Sequence, residues 1–232
     1  NGTAVIQPDG YTVLFTPTLD YFGRARFDFK VTDGDGSTWT QTLGVLVSGV
    51  NVPRNLKWKG DGSANVWDMS VSNFLNGASS VAFGSGDSVL FDDTGFSTPP
   101  VALSLTVTPS TVEVNASQNY AIGGVGALDG GMALTKGGSG TLMLGSTNTF
   151  TGGINLNQGT LVLSNNTSAG GSGAINLNGG TLVLAAPGGP ALFSNPVNVQ
   201  LASTVKVLGS GNNNEALNGA VAGSEPLTFD IA

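Results

Sequence analysis

One five-residue phrase recurs in the C-terminal part of the chain. GTLVL occupies residues 159–163 and again residues 180–184, and the near copy GTLML occupies residues 140–144. A second phrase, INLN, precedes each exact copy by the same distance, at residues 154–157 and 175–178. The repeating unit is therefore about 20 residues long, and units of this size bury a continuous core only by stacking as a solenoid.

Within each unit, apolar and polar residues alternate in two short segments separated by Gly and Asn. This period of two is typical of a strand with one buried face. Two such strands per unit predict a parallel β-helix, in which equivalent residues of successive turns lie on top of one another. The expected columns are Leu142, Leu161 and Leu182, then Leu144, Leu163 and Leu184, then Ile154, Ile175 and Val197 inside, and Asn155, Asn157, Asn176 and Asn178 outside.

The longest stretch of this pattern is LTKGGSGTLMLGSTNTFTGGINLNQGTLVL, residues 134–163. It resembles the passenger-associated strand repeats of autotransporter-type proteins, and the resemblance extends over roughly residues 51–232. The resemblance implies a right-handed parallel β-helix, extracellular or at the bacterial cell surface. It also implies the role of a stalk, a spacer or an adhesive passenger.

Residues 1–50 have the pattern of antiparallel strands. In RFDFKV, residues 26–31, apolar side chains alternate with charged ones, and the turn signals QPDG and DGDG lie at residues 7–10 and 33–36. The segment resembles the cadherin-like, immunoglobulin-type repeats of large bacterial surface proteins, which implies a small β-sandwich. Four strands make only part of such a sandwich, so we expect something outside the segment to complete it.

An all-β chain with three regions is therefore expected. The first is a partial Ig-like sandwich at residues 1–50, the second an aromatic junction capping the solenoid at residues 51–100, and the third the parallel β-helix at residues 101–232. The composition agrees with many turns between short strands, because the chain contains 36 Gly and 10 Pro.

The junction contains two tryptophans, Trp58 and Trp67, in a polar and Gly-rich context. We interpret them, with Phe91, as hydrophobic plugs that close the end of the solenoid. The alternative is an exposed aromatic platform on which sugar rings stack. That alternative predicts a carbohydrate-binding module, or a noncatalytic segment of a polysaccharide-active surface protein.

Composition argues against several other classes of function. The net charge of −7 disfavours nucleic-acid binding, which needs a basic surface, and no apolar run is long enough to insert into a membrane. The chain has no Cys and no His. Glycoside hydrolysis needs a pair of carboxylates, whereas the acidic residues of the predicted β-helix are scattered singly. The sequence therefore predicts a protein that is not an enzyme.

Metal binding has one candidate position, the DGDG turn. Asp33 and Asp35 could hold calcium through carboxylates and carbonyls, although the further positions of an EF-hand loop are missing and a plain hairpin turn is the alternative. The same two interpretations apply to Asp87, Asp92 and Asp93. No other cofactor is expected.

The segment PLTFDIA at residues 226–232 reads as a strand in which Leu227, Phe229 and Ile231 alternate with polar residues. Such a strand suits donation to the incomplete sandwich of a neighbour, and head-to-tail contacts of this kind build filaments. The alternative is that the chain is part of a longer surface protein, whose neighbouring domains are then its partners.

Overall fold

The described part of the molecule consists of β-strands joined by turns and irregular segments. The structure is a computed structural model that describes residues 2–18, 21, 23–47, 52–164, 168–185, 192–208 and 216–231. These residues include no helix, and therefore none long and apolar enough to span a membrane. The chain divides into two compact units, Asn1–Asn51 (unit 1) and Val52–Ala232 (unit 2). The predicted all-β class is confirmed.

Unit 1, as far as the structure describes it, has four strands in two antiparallel pairs. Strand β1 (Gly2–Ile6) pairs with β2 (Val13–Pro17), and β3 (Gly23–Thr32) pairs with β4 (Thr38–Val47). The turns between paired strands contain the QPDG and DGDG signals, where Gly supplies the positive φ that a tight turn requires.

The two pairs meet through aromatic side chains. The rings of Phe15 and Phe27 stack with their centroids 6.0 Å apart. A groove of about 670 Å³ remains between the pairs, and Ala25 is the only fully buried apolar residue among the described residues of the unit. Leu46, in contrast, is 74% exposed. Four strands therefore form a sandwich with little closed core.

The described residues of unit 2 form twenty short strands. In chain order they are β5 (Asn55–Trp58), β6 (Val66–Trp67), β7 (Phe74–Asn76), β8 (Ser79–Val81), β9 (Ser88–Phe91), β10 (Val101–Leu103), β11 (Thr111–Asn115), β12 (Tyr120–Gly124), β13 (Ala133–Gly137), β14 (Thr141–Leu144), β15 (Ile154–Leu156), β16 (Thr160–Leu163), β17 (Ile175–Leu177), β18 (Thr181–Leu184), β19 (Leu192–Phe193), β20 (Val197–Val199), β21 (Ser203–Val207), β22 (Ala216–Leu217), β23 (Val221–Gly223) and β24 (Leu227–Ile231).

These strands form two long sheets and one short pair. Sheet 1 has the order β8-β7-β5-β9-β11-β13-β15-β17-β20-β23, and sheet 2 has the order β6-β10-β12-β14-β16-β18-β21-β24. All pairs in sheet 2 are parallel, and sheet 1 is antiparallel only at β5-β7-β8. The chain contributes strands alternately to the two sheets and so forms a β-solenoid, which confirms the predicted stacking.

The register of the turns matches the sequence repeat. Leu161 pairs with Leu142 on one side and with Leu182 on the other. These side chains are fully buried, so like residues touch like residues along the axis. The other predicted inward columns are confirmed in the same way: Leu144, Leu163 and Leu184, followed by Val207, and Ile154, Ile175 and Val197.

The glycine that opens each GTLVL copy lies at a tight corner. Gly159 has a φ of +73°, and a Cβ there would lie 2.5 Å from the carbonyl oxygens of Gly138 and Gly140. Both the backbone conformation and the close approach of the preceding turn therefore require glycine at this position.

Successive turns of the solenoid are also joined outside the two long sheets, by the buried side-chain amide of Asn148. The side chain of Asn148 is 3% exposed; its Oδ1 accepts a hydrogen bond from the Leu128 amide (2.9 Å), and its Nδ2 donates to the Ala169 carbonyl (2.7 Å). Asn148 thus joins three successive turns. Sequence reasoning, which assigned two strands to each unit, did not find this contact.

Residues 52–100 belong to the same compact unit as the repeats that follow. Strands β6 and β9 of this segment pair in parallel with β10 and β11, and β5 pairs in parallel with β9, whereas β7 and β8 add antiparallel beside β5. The segment therefore supplies strands to both sheets and places its aromatic residues at their first edge.

Candidate functional site

The two tryptophans of the junction are fully buried. Trp58 stacks on Phe91 with centroids 5.4 Å apart, and Trp67 lies 5.5 Å from the same ring. The Trp58 Nε1 donates to the Phe96 carbonyl (2.9 Å). A sugar cannot stack on a ring without an exposed face, so the structure contradicts a sugar platform at Trp58 and Trp67.

The aromatic cluster continues into the following turn through Tyr120. Its ring lies 5.2 Å from that of Phe91, and its hydroxyl donates to the Asp92 carbonyl (2.6 Å) while accepting from the Gln118 Nε2 (2.8 Å). Burial raises the pKa of Tyr120 to about 12. The hydroxyl therefore stays protonated at neutral pH and ties the junction to the repeats.

Asp87 forms a buried ion pair. Its side chain is fully buried, and its Oδ2 lies 2.7 Å from the Nη2 of Arg54. Its oxygens also accept from the backbone amides of Arg54 and Gly84, both at 2.8 Å. These donors occupy both carboxylate oxygens of Asp87, so the carboxylate stabilises the fold of the junction.

The other two acidic residues of the junction are also engaged by the protein. Asp92 pairs with Lys57, whose Nζ lies 2.8 Å from the Asp92 Oδ2. Asp93 accepts from the amides of Ser117 and Gln118 at 2.8 and 2.9 Å. Both carboxylates thus stabilise turns in the part of the chain that the structure describes.

The DGDG segment forms a hairpin turn. The Oδ1 of Asp33 accepts from the backbone amides of Asp35 (3.0 Å) and Ser37 (2.8 Å). Within the described ranges, no group of three or more acidic, His or Cys residues is arranged to hold a metal. Calcium binding by Asp33 and Asp35 stays a prediction.

A buried lysine, Lys136, lies inside the solenoid. It is 1% exposed and occupies an inward column between Val114 and Leu156. Its ammonium donates to the carbonyls of Gly137, Gly138 and Gln158, and burial lowers its pKa. Three carbonyls match the three N–H donors of a lysine, so the ammonium of Lys136 stabilises the corner and has all of its donors engaged within the protein.

The outward asparagines form hydrogen-bonded columns, as predicted. The Nδ2 of Asn176 donates to the Oδ1 of Asn155 (2.9 Å), and the Nδ2 of Asn198 donates to the Oδ1 of Asn176 (2.8 Å). A parallel bond at 2.8 Å joins Asn178 to Asn157. The outer surface of sheet 1 is therefore polar and supported by its own amides.

The outer surface of sheet 2 has a different character. From β10 to β16, its outward positions are small or apolar and carry no charge. A groove of about 350 Å³ lies in this surface. We call this surface the sheet 2 face; it consists of Ala102, Ala121, Gly123, Thr141, Met143, Gly145, Thr160, Val162 and Ser164.

The predicted donated strand is part of the solenoid. Residues 227–231 form β24, which pairs in parallel with β21. Leu227 is half-buried against the core and Phe229 is 53% exposed, whereas the side chain of Ile231 lies outside the described residues. One edge of the segment is thus already paired, and donation to a neighbour stays a prediction.

Comparison with protein families gives two matches. Residues 134–163 match the family described as passenger-associated-transport-repeat, and residues 1–45 match the family described as bacterial Ig domain. The matches confirm the resemblance of residues 134–163 to passenger-associated repeats and that of the N-terminal segment to bacterial Ig-type repeats. Each match covers less than half of the chain. Searches of curated proteins and of solved structures found no match.

Proposed function

We propose that the chain is a non-enzymatic structural segment of an extracellular surface protein, serving as a stalk or passenger. The observation that supports this best is the uninterrupted, in-register stack of sheet 2 from β6 to β24. Parallel strands lie about 4.8 Å apart, so eight of them span about 30 Å. The two family matches belong to modules of bacterial surface proteins and favour the same role.

The stack is suited to carrying load. Each turn binds the next through strand hydrogen bonds, and the columns of leucine and asparagine add contacts between the same neighbours. In a solenoid, stability is approximately the sum of such nearest-neighbour contacts. The length of the solenoid can therefore change by whole turns while the contacts between the remaining turns stay the same, as a spacer requires.

Deletion of one whole turn tests this proposal. Removing residues 154–174 joins Gly153 to Ile175, and the remaining INL and TLVL segments are identical to those removed. We expect the shortened chain to fold and to be labelled by antibody on intact bacteria as strongly as the parent. Labelling only after permeabilisation, or release of sugars from polysaccharides by the purified parent, would contradict the proposal.

End-to-end association is a finer part of the proposal. Phe229 continues the inward column of Val205 yet is 53% exposed, which favours contact with another chain at β24. In this form of the hypothesis, the edge of β24 opposite β21 pairs with the incomplete sandwich of a neighbour, while β24 keeps its pairing with β21. We expect Phe229→Asp to shorten any filaments seen by electron microscopy. Single particles of the parent at high concentration would end the idea.

A further inference from the structure

Strand β3 carries unpaired positive charge on its outer face. Arg24, Arg26 and Lys30 alternate with the apolar side chains of the strand, and all three are exposed. Every ion pair between residues that the structure describes lies in unit 2, so none of the three has a carboxylate partner there. The chain as a whole has a net charge of −7. This face is therefore a local basic surface on an acidic protein.

A hollow of about 250 Å³ on the same face is lined by both arginines. On the neighbouring strand β4, Gly44 is the register partner of Arg26, and the exposed Leu46 is that of Arg24. The fold does not require this glycine, because a Cβ there would meet nothing within 4 Å and its φ lies outside the left-handed region. A glycine inside a strand often marks the close approach of a ligand. Two guanidinium groups beside a glycine form a site suited to a carboxylate, which arginine binds through paired N–H donors.

The order of charges along β3 restricts the kind of anion. Side chains on one face of a strand follow one another at about 7 Å, so Arg26 and Lys30 are about 14 Å apart. Asp28 lies between them, and its Oδ1 accepts a hydrogen bond from the Thr42 hydroxyl (2.6 Å). Nucleic acid carries a phosphate about every 3.4 Å of strand, and such a dense row would place an anion against this carboxylate. A ligand with widely spaced anions avoids that repulsion.

The rest of the face offers uncharged hydrogen-bonding groups. Thr38 and Thr40 of β4 are exposed beside Thr32 and Lys30 of β3. A threonine hydroxyl both donates and accepts hydrogen bonds, as the hydroxyls of a sugar do. The negative charge of the whole chain also opposes a strongly anionic ligand at long range. Both features favour a polymer of sugars in which only some rings carry a charge.

We propose that the outer face of β3 and β4 binds an acidic polysaccharide with widely spaced carboxylates. One carboxylate lies in the hollow between Arg24 and Arg26, another pairs with Lys30, and an uncharged sugar passes Asp28. The choice of a polysaccharide rests on the extracellular role proposed above. Binding by the purified chain does not depend on where the chain resides, so a negative result would leave that role intact.

Calorimetric titration of the whole chain with hyaluronate, which carries a carboxylate on every second sugar, tests the proposal. We expect saturable binding that weakens as salt rises from about 50 to about 500 mM, and no binding of neutral dextran. Arg26→Gln should weaken binding about tenfold, because charge-assisted hydrogen bonds are lost. Lys59→Gln is the matched control, since it removes the same charge from an exposed position of unit 2 and should change binding less than about twofold.

A second variant separates binding from folding. Gly44→Val fills the hollow at an open position, and valine favours a strand, so the thermal melt should be retained while binding weakens about tenfold. Absence of saturable hyaluronate binding up to about 1 mM would overturn the proposal. Equal effects of Arg26→Gln and Lys59→Gln, or unchanged binding by a folded Gly44→Val chain, would overturn it too.

Densely charged ligands test the role of Asp28. Heparin, double-stranded DNA and vesicles of phosphatidylglycerol should bind more weakly than hyaluronate at the same salt concentration. Asp28→Asn keeps an oxygen that accepts from Thr42, and it should strengthen heparin binding about threefold or more while changing hyaluronate binding less than about twofold. Tighter binding of any of the three dense ligands by the parent chain would contradict the selection of spaced carboxylates and assign the face to that ligand.

Discussion

Leu161 and Leu182 are register partners on adjacent strands of sheet 2, although 21 residues of chain separate them. Both side chains are fully buried. The contact repeats at Leu142, one turn earlier, and at Val205, one turn later. This column links the sequence repeat to the fold, because identical residues fall on identical positions of successive turns.

Truncation within the column should be costly. Leu161→Ala leaves a cavity between two turns, and we expect the free energy of unfolding to fall by about 2–5 kcal/mol. Val162→Ala, one residue along on the outside of the same strand, should cost less than about 1 kcal/mol. Urea denaturation of both variants checks the prediction, and equal losses would contradict the assignment of inward and outward positions.

The corner glycine predicts a contrast between two Gly→Ala changes. Gly159→Ala forces a Cβ to within 2.5 Å of two carbonyl oxygens at a φ of +73°, and should destabilise the chain by about 1–3 kcal/mol or more. Gly131→Ala is the control, because a Cβ there meets nothing within 4 Å. Thermal melts compare them, and a Gly159→Ala chain as stable as the control would show that the corner is not built this way.

Removing the buried side-chain amide of Asn148 should destabilise the chain more than truncating the neighbouring Thr147. Asn148→Ala leaves the Leu128 amide and the Ala169 carbonyl without their partner, and should lower the free energy of unfolding by about 2–4 kcal/mol. Thr147→Ala changes an exposed side chain of the same segment and should be nearly neutral. Chemical denaturation measures both, and a neutral Asn148→Ala would contradict the bridging role.

Tyr120 predicts a loss of stability at high pH. Its folded-state pKa is raised from 10.0 to about 12, so its contribution is complete below pH 10 and declines as the pH rises through 12. Tyr120→Phe cannot ionise, so its free energy of unfolding should depend less on pH between 10 and 12. Denaturation at several pH values compares the two chains, and identical slopes would contradict burial of the hydroxyl.

The repeats were predictable in detail, whereas other contacts were not. Exact copies such as GTLVL fix which residues stack, so the columns of leucine and asparagine followed from spacing alone. The role of Lys136 was not predicted, because the alternation of apolar and polar residues marks its position as an apolar one. Nothing in the neighbouring sequence indicates that carbonyl groups at the corner accept hydrogen bonds from its ammonium. The Arg54–Asp87 pair joins residues 33 apart outside any repeat, so only the folded chain reveals it.

The most direct test of the account is a methyl NOESY spectrum of the folded chain with labelled leucines. We predict NOEs between the methyl groups of Leu161 and those of Leu182, and between Leu161 and Leu142. Leu161 methyl groups that show NOEs to neither leucine, in a chain that is otherwise folded, would contradict the stacked-turn architecture.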